Sequence, residues 1–316
     1  MPDALNLPDH ALRTVRDPAP MVQIRGGSFV MGGADTDAWE TDGEGPVREV
    51  ELDAFRIDPM AVTNARFARF VEATGYRTDA EKSGWSFVFH LHVPRRYRQS
   101  LAPERALANA EWWLAVPGAC WNRPEGERSD LRQRPDHPVV HVSWNDAQAY
   151  CQWAGRRLPT EAQWECAARG GLEQKRFAWG DKLRPGGRHM CNIFQGRFPD
   201  IDTGEDGYRG TCPADAFEPN GLGLYNCVGN VWEWCSDWFS PDHHLAASPQ
   251  TRRNPAGPAE GEGRVQKGGS FLCHDSYCNR YRLAARTSNT PDSSTSNAGF
   301  RCAADGEGHD DQGVVE

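Results

Sequence analysis

Residues 143–171 read SWNDAQAYCQWAGRRLPTEAQWECAARGG, two short helices joined by a tight turn. Ser143 caps the first, with Asp146 three residues on. Ala147, Tyr150, Cys151 and Ala154 form one stripe, and Gly155 ends the run. Behind Pro159, Thr160 and Gln163 make a T-x-x-Q capping box for a helix over 161–169, which Gly170-Gly171 stop. Working outward, a further helix is predicted over 64–74, with Thr63 or Asn64 as cap, Phe67, Phe70 and Val71 at i, i+3, i+4, and Gly75 after its end. Alternating stretches at 22–31 and 48–57 read as strands of a small antiparallel sheet. Beyond about residue 171, Gly, Pro, Asn and Asp interrupt every periodic run. Loops that bury so little apolar surface need another way to be pinned, and bound metal ions are a physical candidate.

Composition bounds the function. The 316 residues are 38% hydrophobic, with 12 Trp, 13 Phe and 7 Tyr, enough for a sizeable aromatic core. The net charge of −9 argues against a nucleic-acid partner, because phosphate contacts need a basic surface. No apolar run is long enough to span a membrane, and the first twenty residues lack a basic start followed by an apolar stretch. With no Asn-X-Ser/Thr sequon either, a bacterial cytoplasmic protein is expected, with monomer as the default state. Residues 1–20 read as a flexible N-terminal segment, 21–305 as one domain, and 306–316 as an acidic tail. Stretches 93–110 and 240–263 read as surface insertions within that domain.

Two loops carry oxygen donors at close spacing, Asn192 with Asp206, and Asn226 with Glu233 around Gly229. Calcium takes six to eight oxygens, many of them main-chain carbonyls, though ordinary Asx turns would give the same spacing. Ten cysteines are present and no CxxC pair. Cys273 and Cys278 are five apart, so they face each other only if the chain turns at His274-Asp275-Ser276. Two unrelated structural thiols, a disulfide, or a pair gripping one soft ion all fit that spacing.

The segments GGSFVMG (26–32), RPDHPVVHVSWNDAQAYCQWAGRRLPTEAQWE (134–165), NIFQG (192–196), TGEDGY (203–208), PNGLGLYNCVGNVWEW (219–234), RVQKGGSFLCHDSYC (264–278) and RLAARTSNTPDSSTSNAGFRCAAD (282–305) resemble the formylglycine-generating enzymes, the sulfatase-modifying factor family. The resemblance implies a single irregular α+β, C-type-lectin-like fold with little regular secondary structure. It implies one structural calcium on Asn192, Ile193, Asp206 and Tyr208, and a second on Asn226, Gly229, Val231 and Glu233. Cys273 and Cys278 match the catalytic pair, which holds Cu(I) and is joined by the substrate cysteine before molecular oxygen binds. Ser270 and Trp232 match residues lining the oxygen pocket. Arg286, Ser294 and Asn297 match the substrate groove, with His274 beside it. The partners implied are an unfolded sulfatase bearing Cys-X-Pro-X-Arg, molecular oxygen, and a thiol or other reductant.

Trp112-Trp113 is read either as groove lining or as core. By resemblance Cys151 and Cys302 match a structural disulfide, while Ala168 and Leu283 stand where a second bridge occurs in secreted relatives. A non-catalytic member of the superfamily, acting as a lectin-like or regulatory binder, is the alternative, but such paralogues lack the cysteine pair. An iron-dependent sulfoxide synthase would need a helical domain with a His cluster that this chain does not show.

Overall fold

The helices form where their caps place them. In the computed structural model, which describes residues 17–306, α1 spans Asn64–Thr74, with the Thr63 side chain accepting from the Arg66 N–H and Gly75 in the left-handed region at φ 67°. A five-residue helix, α2 (Asp79–Ser83), follows, closed by a Thr78/Glu81 capping box. Helix α3 spans Trp144–Ala154 with the Ser143/Asp146 box, and α4 spans Glu161–Ala168 with the Thr160/Gln163 box. Phe67, Phe70, Tyr150 and Trp153 interlock where α1 meets α3, with ring centroids 5.4–5.9 Å apart.

Each predicted strand stretch is broken in two. The N-terminal run divides at Arg25-Gly26 into β1 (Val22–Ile24) and β2 (Gly27–Met31), and the second at Asp53-Ala54 into β3 (Arg48–Leu52) and β4 (Phe55–Ile57). The two pairs, β1 with β4 and β2 with β3, are antiparallel. A Cβ at Gly26 would lie 2.8 Å from the Ala54 nitrogen, so the breaks face each other where backbones touch. Strands β5 (Trp85–Phe89) and β6 (Ala110–Pro117) form a third antiparallel pair.

The loop-rich half is organised by one sheet. Its strands are β7 (Trp232–Trp238), β8 (Arg264–Lys267), β9 (Arg286–Asn289) and β10 (Ala298–Gly299), in the order β9-β8-β7-β10. A last strand, β11 (Ala303–Asp305), returns to pair with β4 and ties the two halves together. Buried ion pairs cross-link the loops. Both Glu233 oxygens accept from Arg301, and Glu165 accepts from Lys267 and Arg169.

The domain starts earlier than residue 21. Asp17 is buried and accepts from Arg66 at 2.8 Å and from the Tyr150 hydroxyl at 2.7 Å, so residues 17–20 are docked, not frayed. The remainder of the predicted N-terminal segment, and 307–316 of the tail, lie outside the described residues. Stretch 93–110 is exposed over most of its length, and 240–263 lays the short helix Pro249–Arg252 against β3. No described helix is long and apolar enough to cross a membrane.

Candidate active site

The segment after β8 doubles back on itself. Gly268 and Gly269 take φ values of 92° and 74°, and a Cβ at Gly269 would sit 2.9 Å from the Arg280 carbonyl, so the chain there must be bare. The His274 carbonyl then accepts from the N–H groups of Tyr277 and Cys278, both at 3.0 Å, closing the turn that brings Cys278 back to Cys273. Trp39 donates from Nε1 to the Cys278 carbonyl at 3.1 Å, and Asp42 grips Arg280 with both oxygens, so the 39–42 segment buttresses this turn.

Both thiols are free and buried, and they open on one cavity of about 370 Å³. Their electrostatics are divided. Burial, then the hydrogen bond with Cys278, pushes the Cys273 thiol well above its usual range. Cys278 is lowered, first by accepting from Cys273, against burial, and then by the main-chain N–H groups of Arg280 and His274. The two thiols are therefore electrostatically coupled, with Cys278 the one more readily deprotonated. Ser270 faces Cys273 with its N–H at 3.4 Å and its hydroxyl. Asn297 donates to the Ser270 hydroxyl oxygen at 2.9 Å and accepts from Thr295 at 2.8 Å, which fixes that hydroxyl in place.

One wall of the cavity is aromatic. Trp112 and Trp113 both line it, with Phe87, Phe198 and Tyr277; Phe198 and Tyr277 stack at 4.4 Å and Trp112 meets Tyr277 edge-on at 5.1 Å. The floor is the face of the four-stranded sheet. Trp234 pairs with Gln266 and Gln266 with Thr287, so Trp232, Gln266, Thr287 and Asn289 lie on one face by the two-residue alternation. A larger cleft of about 760 Å³ lies beyond the Ser294–Asn297 segment, lined by the Glu125–Arg134 ion pair, His92 and His137. It contains no thiol.

The cavity thus gathers Cys273, Cys278, Ser270, Trp232 and Asn297, and leaves out three residues expected beside it. Arg286 pairs with Lys267, on the opposite sheet face from Thr287, and is spent on Glu161 at 2.7 Å and the Ser240 carbonyl at 2.9 Å. The Ser294 hydroxyl turns to Ser86 at 2.8 Å, while its neighbours Ser293 and Thr295 line the cavity. His274 builds the turn with its carbonyl and holds Ser276 with its ring, without lining the cavity. Residues not anticipated from sequence are Gln266, Thr287, Ser288 and Asn289; a β-strand reading of 264–267 and 286–289 would have put Gln266, Thr287 and Asn289 on this face, though not Ser288.

The cluster around Arg286 makes a prediction of its own. Burial, then the nearby Glu161, pushes Asp237 up to about 7. A carboxyl raised above its unfolded value stabilises the fold below about pH 4 and loses that contribution as pH climbs through about 7. Asp237→Asn keeps an oxygen for the Glu161 N–H and is expected to flatten this decline, so thermal melts at about pH 8 should favour the variant.

The oxygen-rich loops touch. The Asn230 N–H donates to the Asn192 carbonyl at 2.8 Å, and the Asn230 side chain ties both to Cys212. In the first set, the Asp206 carboxylate accepts from the N–H groups of Ile193 and Tyr208, each at 3.0 Å, and burial raises its pKa. In the second, Asn226 Oδ1 is buried with no hydrogen-bond partner among the described residues, the donor oxygen a cation would use. Glu233 departs from the expected pattern, because Arg301 takes both its oxygens and Trp164 donates to one at 2.7 Å. The Cys151 and Cys302 sulfurs lie 3.6 Å apart as thiols, and Ala168 and Leu283 are both buried in one core cluster.

Residues 8–306 match the sulfatase-modifying factor enzyme 1-like domain. Over 287 residues the chain is 64% identical to the formylglycine-generating enzyme of Thermomonospora curvata, covering 90% of this chain and 93% of that protein. It is also 44% identical over 304 residues to the inactive C-alpha-formylglycine-generating enzyme 2 of Mus musculus, covering 95% and 90%. PvdO from Pseudomonas aeruginosa has the same fold, with a TM-score of 0.62 at 23% identity over 90% of this chain and 94% of that one. On its sequence and its fold together, this chain belongs to the sulfatase-modifying factor family, that of the formylglycine-generating enzymes.

Proposed function

We propose that this chain is an oxidase that matures sulfatases, converting the cysteine of an unfolded Cys-X-Pro-X-Arg segment to formylglycine with molecular oxygen. The observation that carries the reading is the pair of free, buried thiols opening together on an aromatic-walled cavity. The donor set suits copper(I), a soft ion content with two thiolates. Among the described residues no group of three or more His, Cys, Asp or Glu is gathered, so the side chains do not offer a zinc-type four-ligand site. Cys273 and Cys278 would hold the ion, which supplies, when bound, the one-electron chemistry with oxygen that thiols and peptide lack.

The protein residues do the rest. Holding a soft ion would require both thiols to give up their protons, and Cys278 is the readier of the two. Ser270, held by Asn297, keeps Cys273 oriented through its N–H and hydroxyl, and Trp232 floors the pocket. Trp112, Trp113, Phe198 and Tyr277 give the reacting carbon an apolar wall, and a water must still reach that carbon, because the aldehyde oxygen replaces the sulfur that leaves as sulfide. A thiol or other reductant completes the electron balance, and a bacterial cytoplasm would keep the ten cysteines reduced.

The test follows product with copper and oxygen varied separately. Aldehyde formation on a Cys-X-Pro-X-Arg peptide should require both and stop when a Cu(I) chelator is added. Turnover without oxygen would remove the oxidase reading. Calcium belongs to the same proposal at the Asn192–Tyr208 loop and at Asn226, with the carbonyls of Gly229 and Val231. A calcium chelator is expected to lower the melting temperature and added calcium to restore it, by up to about 3 kcal/mol at a hundredfold excess over Kd.

A further inference from the structure

Gln266 sits in the middle of β8 and is 5% exposed, yet its side-chain amide makes no hydrogen bond to any described residue. Its neighbours in the strand explain why it is buried. Lys267 turns to the opposite sheet face and bonds Glu165 at 2.9 Å, and Val265 is fully buried. Gln266 instead shares the thiol cavity with Trp232 and Thr287. Its amide is not among the fully enclosed polar groups, so it opens on the cavity, where water or a ligand completes its donors and acceptor.

The chemistry of the cavity says which ligand. Among the described residues Arg280 is the one Lys, Arg, Asp or Glu lining it, and both Asp42 oxygens neutralise that guanidinium. The floor is otherwise neutral: Gln266, Thr287, Ser288, Asn289 and Ser293. A carboxamide offers one N–H and one C=O side by side, and the group that answers both is a peptide unit. We propose that Gln266 is a positioning residue that hydrogen-bonds a main-chain peptide group of the substrate segment next to the reacting cysteine, holding that cysteine over the thiol pair. This rests on the substrate reading above and goes beyond it, since it assigns recognition to the peptide backbone and therefore to positions whose side chains are not read.

The test combines a protein change with a substrate change. Gln266→Met keeps length and removes the amide. Because that amide holds no protein group, the variant should melt no lower than the wild type. KM for the peptide should rise about three- to tenfold, with kcat within about twofold. In a panel of peptides with each amide flanking the cysteine replaced in turn by an ester, one ester should raise the wild-type KM by a similar factor. The same ester should cost Gln266→Met nothing further, as expected for two halves of one contact. An unchanged KM in Gln266→Met, or ester effects that multiply with it, would overturn the assignment. A lower melting temperature with kcat and KM both impaired would make Gln266 a structural residue and would also overturn it. Absence of aldehyde formation by the wild type would instead strike the underlying substrate reading.

Discussion

Cys273→Ala is expected to lower aldehyde formation at least about a thousandfold, and Cys278→Ala to do the same, because residues that act as one unit are lost together. The double variant should be no worse than either single one. Neither side chain supports the fold beyond filling space: each is a buried thiol whose hydrogen bonds belong to the 270–280 turn, so the destabilisation should stay near about 1 kcal/mol. Peptide binding should survive in both variants, since the aromatic wall and the polar floor are untouched. The check is a product assay beside a thermal melt, and a variant that retains turnover would remove the thiol pair from the mechanism. The inactive mouse relative, 44% identical, shows that the fold alone does not secure the activity.

The largest effect on stability is expected at Arg301. Its guanidinium is fully buried and binds both Glu233 oxygens, the Tyr225 carbonyl at 2.9 Å and the Pro59 carbonyl at 3.2 Å. It thereby ties the last segment of the domain to the first strand of the catalytic sheet and to the loop before α1. Arg301→Met leaves the Glu233 carboxylate in the core with only Trp164 as donor, which should cost about 3–5 kcal/mol. In a domain of this size that is a fall of roughly 10 °C in Tm. Adding Glu233→Gln should recover part of the loss, because the stranded charge causes most of it. A single variant that melts like the wild type would show that the pair is not what holds these segments together.

How far the sequence could be read depends on how local each signal is. The caps of α1, α3 and α4 lie within four residues of the backbone they satisfy, so Thr63, Ser143 and Thr160 announce them directly. Helix α2 has the same box at Thr78 and Glu81, but five residues are too few for an apolar stripe to announce it. The breaks at Gly26 and Ala54 depend on two strands touching across the sheet, which no single stretch reveals.

The same distinction runs through the site. Cys273, Cys278, Ser270 and Asn297 are legible because their motif segments meet at the cavity. Arg286 and Ser294 lie in equally recognisable segments, yet strand alternation and the Ser86 contact turn them away. Gln266 carries no chemical signature in sequence; its interest comes from an amide that opens on the thiol cavity and bonds no described residue, a property of the packed structure. Likewise the commitment of Glu233 to Arg301 joins residues 68 apart.

The most direct measurement is the mass of a Cys-X-Pro-X-Arg peptide after incubation with the purified chain, Cu(I), oxygen and a thiol reductant. The account predicts conversion of the cysteine CH₂SH to an aldehyde, with loss of sulfide, by the wild type and by neither Cys273→Ala nor Cys278→Ala. Unchanged peptide with the wild type, or equal conversion by either cysteine variant, would contradict it.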